Sequence, residues 1–108
     1  MTDIARYRAG LEKRQKELRA RIEEIEAELE SHHSRDWEEL ATEREGDEVL
    51  EEEARLARAE LARIAAAFAR MEADEYGHCV ECGDEISPER LDILPATPFC
   101  RICAARHD

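Results

Sequence analysis

Four cysteines carry the most specific chemistry in this chain of 108 residues: Cys79-x-x-Cys82, seventeen intervening residues, then Cys100-x-x-Cys103. A two-residue gap lets one tight turn aim two thiolates at a common point. Two such turns supply a tetrahedron of sulfurs about 2.3 Å from a metal ion. The spacing is that of zinc sites. Gly83, directly after Cys82, allows the backbone to turn back toward the sulfurs. Two other chemistries fit the residue types. Iron also occupies tetrahedral sulfur sites, and Cys79-x-x-Cys82 has the form of a thiol redox pair, although no strand–helix–strand pattern surrounds it. The expectation is one structural zinc, because four thiolates leave no open position for catalysis. His78 and His107 flank the cysteines and are read as outer neighbours or exposed side chains, not as ligands.

A second cluster is acidic. Residues 36–54 hold ten acids against Arg44 alone, a net charge of −9 within a chain whose total is −12. Such a run is either a solvated helix face or a negative surface aimed at a basic partner or a cation. Either way, a duplex-binding module with a basic footprint is disfavoured.

The elements that position these groups are helical. Residues 1–30 contain no Pro, and their apolar residues fall at Ile4, Tyr7, Leu11, Leu18, Ile22, Ile25 and Leu29, with one position skipped between Leu11 and Leu18. Residues 31–35, Ser-His-His-Ser-Arg, interrupt the pattern, and Ser31 or Ser34 can cap a new helix. The second seam, Leu50, Ala54, Ala57, Leu61, Ile64, Phe68 and Met71, is a clean heptad run. Gly46 lies inside that helix at a cost of roughly 1 kcal/mol against Ala. Two single-stripe helices joined by a short polar turn must cover one another, which predicts an antiparallel hairpin. An intermolecular coiled coil with a kink at His32–Arg35 is the alternative. Gly77, Gly83, Pro88, Pro95 and Pro98 punctuate the remainder, so the long helix is expected to end near Glu75.

The fold class is therefore mainly α: a long antiparallel two-helix coiled-coil hairpin over residues 1–75, with an acidic tip near 31–41, and a small four-cysteine zinc-finger module over 76–108. Charged residues make up 41% of the chain and aromatics 5%, so a large packed core is excluded and a metal staple is expected. No apolar stretch approaches the roughly 18–20 residues of a membrane span or the core of a signal peptide. A cytoplasmic location, where thiols stay reduced, is expected, as are a monomeric state and no association with membranes.

Tyr76-Gly77-x-Cys79-x-x-Cys82-Gly83-x-x-Ile86, then Arg90-Leu91 and Pro95 before Cys100-x-x-Cys103, resembles the DksA/TraR zinc-finger family. Ala96 follows Pro95 directly, and Thr97 stands where the family usually has Ala. The acidic hairpin resembles the DksA branch, so the likeness covers nearly the whole chain. It implies a non-enzymatic transcription regulator that binds bacterial RNA polymerase directly, inserts its coiled coil into the secondary channel and does not bind promoter DNA by itself. It also implies a tip motif, Asp-x-x-Asp-x-Ala, for which this chain has Asp36-x-x-Glu39-x-Ala41, with Glu39 one methylene longer. Trp37, between the acids, either packs on the hairpin end or anchors the partner. Members that respond to the alarmone ppGpp use basic residues near the base of the coiled coil. Arg63 is the candidate here, while Ala104 follows the last cysteine where a basic residue is expected. Two other functions share these features: a transcript-cleavage factor whose tip acids recruit Mg²⁺, and a zinc-stapled adaptor or thiol redox protein unrelated to polymerase.

Overall fold

The computed structural model describes residues 3–31 and 37–107, the side chains of 37–45 excepted. Four helices follow in order: α1 (Ile4–Ser31), α2 (Trp37–Glu72), α3 (Pro88–Ile93) and α4 (Arg101–Ala105). There is no strand among the described residues; one isolated antiparallel bridge joins His78 and Glu85. No described helix is long and apolar enough to cross a membrane.

Asp3 starts α1: its carboxylate accepts from the Arg6 backbone N–H at 3.2 Å, satisfying one of the free donors of the first turn. The two apolar seams are the buried faces. Tyr7, Leu11, Leu18 and Ile25 on α1, and Ala54, Ala57, Ile64, Ala67 and Met71 on α2, are each less than 8% exposed. Gln15, at the skipped α1 position, is half-buried. The sequence seam placed Phe68 at the heptad position; Phe68 is half-buried, and the neighbouring Ala67 is fully buried.

Charged pairs flank the seams. Arg8 of α1 reaches Glu72 of α2 at 3.1 Å. Further along, Arg21 pairs with Glu53, and Glu26 with Arg58 at 2.9 Å. Low numbers on α1 thus meet high numbers on α2, which is antiparallel pairing. These groups are substantially exposed, so they select register more than they add stability.

The chain divides into two compact units, residues 15–61 and residues 1–14 with 62–108. The first is all hairpin, with Leu18, Ile25, Ala54 and Ala57 in its core. The second joins the ends of α1 and α2 to the cysteine module, with Tyr7, Leu11, Ile64, Ala67, Met71, Tyr76, Ile86 and Leu91 buried.

α2 stops at Glu72, three residues before the expected end. The cause is Asp74, whose φ of 59° takes the chain into the left-handed region. That turn sends the Glu75 and Tyr76 N–H groups back to the Arg70 carbonyl at 2.8 and 3.2 Å, closing the helix end. Asp tolerates this conformation better than most residues with a Cβ.

Two glycines give opposite expectations. Gly46 is exposed on α2, and a Cβ there meets nothing within 4 Å. Gly46→Ala is expected to raise stability by about 0.5–1 kcal/mol through helix propensity. Gly83 also has open space, but its φ is +81°. Gly83→Ala is expected to destabilise the cysteine module by about 1–2 kcal/mol. Urea melts of the two variants against the wild type test both signs.

Candidate metal centre

Each cysteine pair is held by its own local structure. Around Cys79 and Cys82 the chain folds back on itself: the Cys79 N–H donates to the Asp84 carbonyl at 2.8 Å, Gly83 N–H to Cys79 O at 2.9 Å and Ile86 N–H to Gly77 O at 2.8 Å. Positive φ at Gly77 (89°) and Gly83 (81°) makes both reversals possible. Cys100 is the N-cap of α4, and its sulfur accepts from the Cys103 N–H at 3.4 Å. Cys103 sits one turn into the helix, so both its thiol and that of Cys100 face one point.

The four sulfurs lie within 4.8 Å of one another. Cys82 and Cys100 Sγ are 3.8 Å apart, far beyond a disulfide bond and equal to one edge of a regular tetrahedron with arms of about 2.3 Å. Cys79 and Cys103 are buried, Cys100 half-buried and Cys82 exposed. The thiols are tuned in opposite directions. Burial opposes ionisation of Cys79, but backbone hydrogen bonds from Cys100, Cys82 and Glu81 outweigh it and lower the thiol. Burial raises Cys103, and hydrogen bonds with Cys100, Cys79 and Cys82 raise it further. Four negative sulfurs this close cannot coexist without a compensating cation. The donor set and its edge length fit Zn²⁺. When bound, zinc supplies a cross-link between the two cysteine pairs.

Neither histidine joins the cluster. His78 is exposed. His107 stacks on Phe99 with centroids 4.4 Å apart, and its Nε2 meets Glu81 Oε2 at 3.0 Å.

The module is fastened to the ends of α1 and α2 by polar contacts that spacing did not announce. Tyr7 Oη donates to Asp92 Oδ1 at 2.7 Å, and Arg6 donates to the same oxygen at 2.9 Å while its guanidinium lies 4.5 Å from the Tyr7 ring centroid. Tyr76 Oη donates to the Pro95 carbonyl at 2.8 Å, and Arg70 to the Ala96 carbonyl at 3.1 Å. Arg90 Nε donates to Phe99 O at 3.0 Å, and Thr97 Oγ1 both donates to Phe99 O and accepts from its N–H. These bonds fix residues 95–99, which lead into Cys100. Tyr76, Arg90 and Pro95 of the motif, together with Thr97, thus have a supporting role: they carry the second cysteine pair. Burial raises the Tyr76 phenol to about 12, so it stays a donor across the working range.

The hydrogen bond from Tyr7, and then that from Arg6, hold the Asp92 carboxyl below its ordinary value of 3.8. A depressed carboxylate contributes stability above that ordinary value and loses it as pH falls through the lowered one. At neutral pH the contact is fully engaged. Tyr7→Phe and Asp92→Asn are each expected to lower the thermal midpoint at pH 7, and the double variant to lose less than the sum. Additive losses in that double-mutant cycle would disconnect the two groups.

Residues 7–71 match the family described as DnaK suppressor protein-like, N-terminal domain, and residues 74–108 match the prokaryotic dksA/traR C4-type zinc finger. The chain belongs to the DksA/TraR family. The fold agrees. Transcription factor DksA2 from Pseudomonas aeruginosa superposes with a TM-score of 0.85 at 28% identity, covering 94% of this chain and 79% of that one. The solution structure of the DnaK suppressor protein from Agrobacterium tumefaciens C58 is 42% identical, with a TM-score of 0.69 and coverage of 98% and 95%. An uncharacterized protein of Aquifex aeolicus is 36% identical over 75 residues; the match takes in 69% of this chain and spans about half, 52%, of that relative. For this DksA-like chain the four cysteines are therefore those of a C4-type finger, consistent with one structural zinc.

Asp36 lies outside the described residues, and of Trp37, Glu39 and Ala41 only the helical backbone at the start of α2 is described. The interruption expected at 31–35 falls mostly on residues 32–36, also outside; α1 ends at Ser31, whose hydroxyl donates to the Glu28 carbonyl at 2.7 Å. Arg63 is exposed and makes no ion pair with a described residue.

Proposed function

We propose that this chain regulates transcription by binding bacterial RNA polymerase directly, with the α1–α2 hairpin entering the enzyme's secondary channel. The observation that carries this reading is the tiling of the chain by the two DksA-family matches, over 7–71 and 74–108, together with the 0.85 TM-score to a transcription factor. Zinc, held by Cys79, Cys82, Cys100 and Cys103, stiffens the module at the open ends of the helices. Asp36, Trp37, Glu39 and Ala41 are the polymerase-contacting residues. Carboxylates at a hairpin end pair with Lys or Arg of the enzyme or perturb the coordination of its Mg²⁺. Regulation by contact asks for no catalytic group of its own, and the factor is read as a regulator acting on an enzyme. Arg63 supplies the basic contact for ppGpp where the chain meets polymerase.

The test is initiation in vitro with purified polymerase, paired with a pull-down. Wild-type protein is expected to bind the enzyme and change initiation without binding promoter DNA alone. Asp36→Asn with Glu39→Gln is expected to remove about tenfold or more of the effect at unchanged zinc content. A wild-type chain that fails to bind polymerase overturns the reading; full activity in the double variant removes the tip from it. Release of RNA from a backtracked complex would instead point to transcript cleavage.

A further inference from the structure

The cysteine module presents an apolar concavity that neither the zinc site nor the hairpin uses. Ile93, Leu94 and Ile102 are 78%, 47% and 64% exposed, and all three line one open groove of about 640 Å³. Three large aliphatic side chains gathered at one place on a module this small are more than scattered surface apolarity. The groove lies between residues of α3 and α4, and Cys100 forms part of its wall.

The charges around it select an occupant. Asp84, Glu85 and Glu89 line the groove, and all three are exposed. Of the two lining cations, Arg90 is half-buried and turned to the Phe99 carbonyl and the Thr97 hydroxyl. Arg101 is exposed. Three open carboxylates therefore face one open guanidinium. A second copy of the chain carries a net charge of −12, so long-range repulsion opposes the approach of two copies. A small-molecule ligand is also a poor match, because none of the polar side chains lining the groove is buried to orient one.

We propose that this groove docks a basic amphipathic helix of a protein partner: aliphatic side chains seat on Ile93, Leu94 and Ile102, and flanking Lys or Arg residues pair with Asp84, Glu85 and Glu89. The contact uses residues other than Asp36, Trp37, Glu39 and Ala41. Its occupant also covers the Cys100 edge of the metal site. The inference does not depend on polymerase being the partner, and its test uses no polymerase.

The probe is a labelled synthetic helix of about four turns with Leu along one face. One version is flanked by Lys, the other by Glu, and each is titrated into the zinc-loaded full chain. The Lys-flanked form is expected to bind about tenfold more tightly, with a preference that falls as salt rises. It is expected to shift the amide resonances of Glu89, Ile93, Leu94 and Ile102. Ile93→Asp with Ile102→Asp is expected to abolish binding while far-UV dichroism and zinc content stay unchanged, since both residues are already exposed. Glu85→Lys with Glu89→Lys is expected to reverse the preference toward the Glu-flanked helix. Equal binding of both helices overturns the proposal, as do shifts confined to residues 46–60 of α2. Self-association that the Ile93→Asp, Ile102→Asp variant dissolves would replace the partner with a second copy and equally overturn it.

Discussion

Removing zinc with a strong chelator is expected to abolish the ordered structure of residues 76–107 while most helical dichroism survives. The two short helices of this region hold six and five residues, against 28 and 36 in α1 and α2, so the far-UV signal changes little. The effect on the module is nevertheless the largest expected for any perturbation of the chain. Structural zinc in finger peptides contributes an apparent ~10–16 kcal/mol near neutral pH, and that free energy is folding free energy. The buried apolar groups of the module are few: Tyr76, Ile86 and Leu91 beside the two buried cysteines. Fully burying one such side chain contributes about 1.5–3 kcal/mol, too little to replace the metal. Cys79→Ser or Cys103→Ser is expected to reproduce the chelator result, because each is a buried donor. Acid acts in the same direction: the sulfurs bind metal as thiolates, so protons displace zinc as pH falls. Amide spectra recorded with and without chelator test this, alongside colorimetric measurement of released zinc. Dispersed resonances from 76–107 in the metal-free chain would show that the staple is something else.

Ile64→Ala is expected to lower global stability by about 2–5 kcal/mol, the range for deleting a large aliphatic side chain from a packed core. Ile64 is 1% exposed and belongs to the unit that joins the helix ends to the cysteine module. Leu56, two turns earlier on the same helix, is 55% exposed. Leu56→Ala is expected to stay within about 0.5 kcal/mol of the wild type. Chemical denaturation of the two variants at fixed zinc concentration makes the comparison. Similar losses at both positions would mean that α2 buries a different face, as it would in an intermolecular coiled coil. Because total stabilities are on the order of 5–15 kcal/mol, the Ile64 variant sits near the edge of folding. A milder Ile64→Val, at about 0.5–1.5 kcal/mol, keeps the test readable.

What the sequence determined by itself is local. The period of Leu18, Ile25, Ala54, Ala57 and Ile64 named the buried faces of both long helices, because a helix repeats every 3.6 residues whatever it packs against. The spacing of Cys79, Cys82, Cys100 and Cys103 named the metal site, because each pair needs only one turn of backbone to converge. Tertiary structure decided the rest. It buried Ala67 where the heptad pattern favoured Phe68, since the two neighbours compete for one stripe and packing chooses between them. It ended α2 at Glu72, through a left-handed Asp74 that no proline or glycine foretold. It also brought Tyr7 to Asp92, 85 residues away, and Arg70 to the Ala96 carbonyl. Periodicity and spacing report only what neighbours along the chain do together. Contacts between distant segments follow from how the closed elements pack, so the bonds that carry the second cysteine pair became visible only once the helix ends and the module were in place.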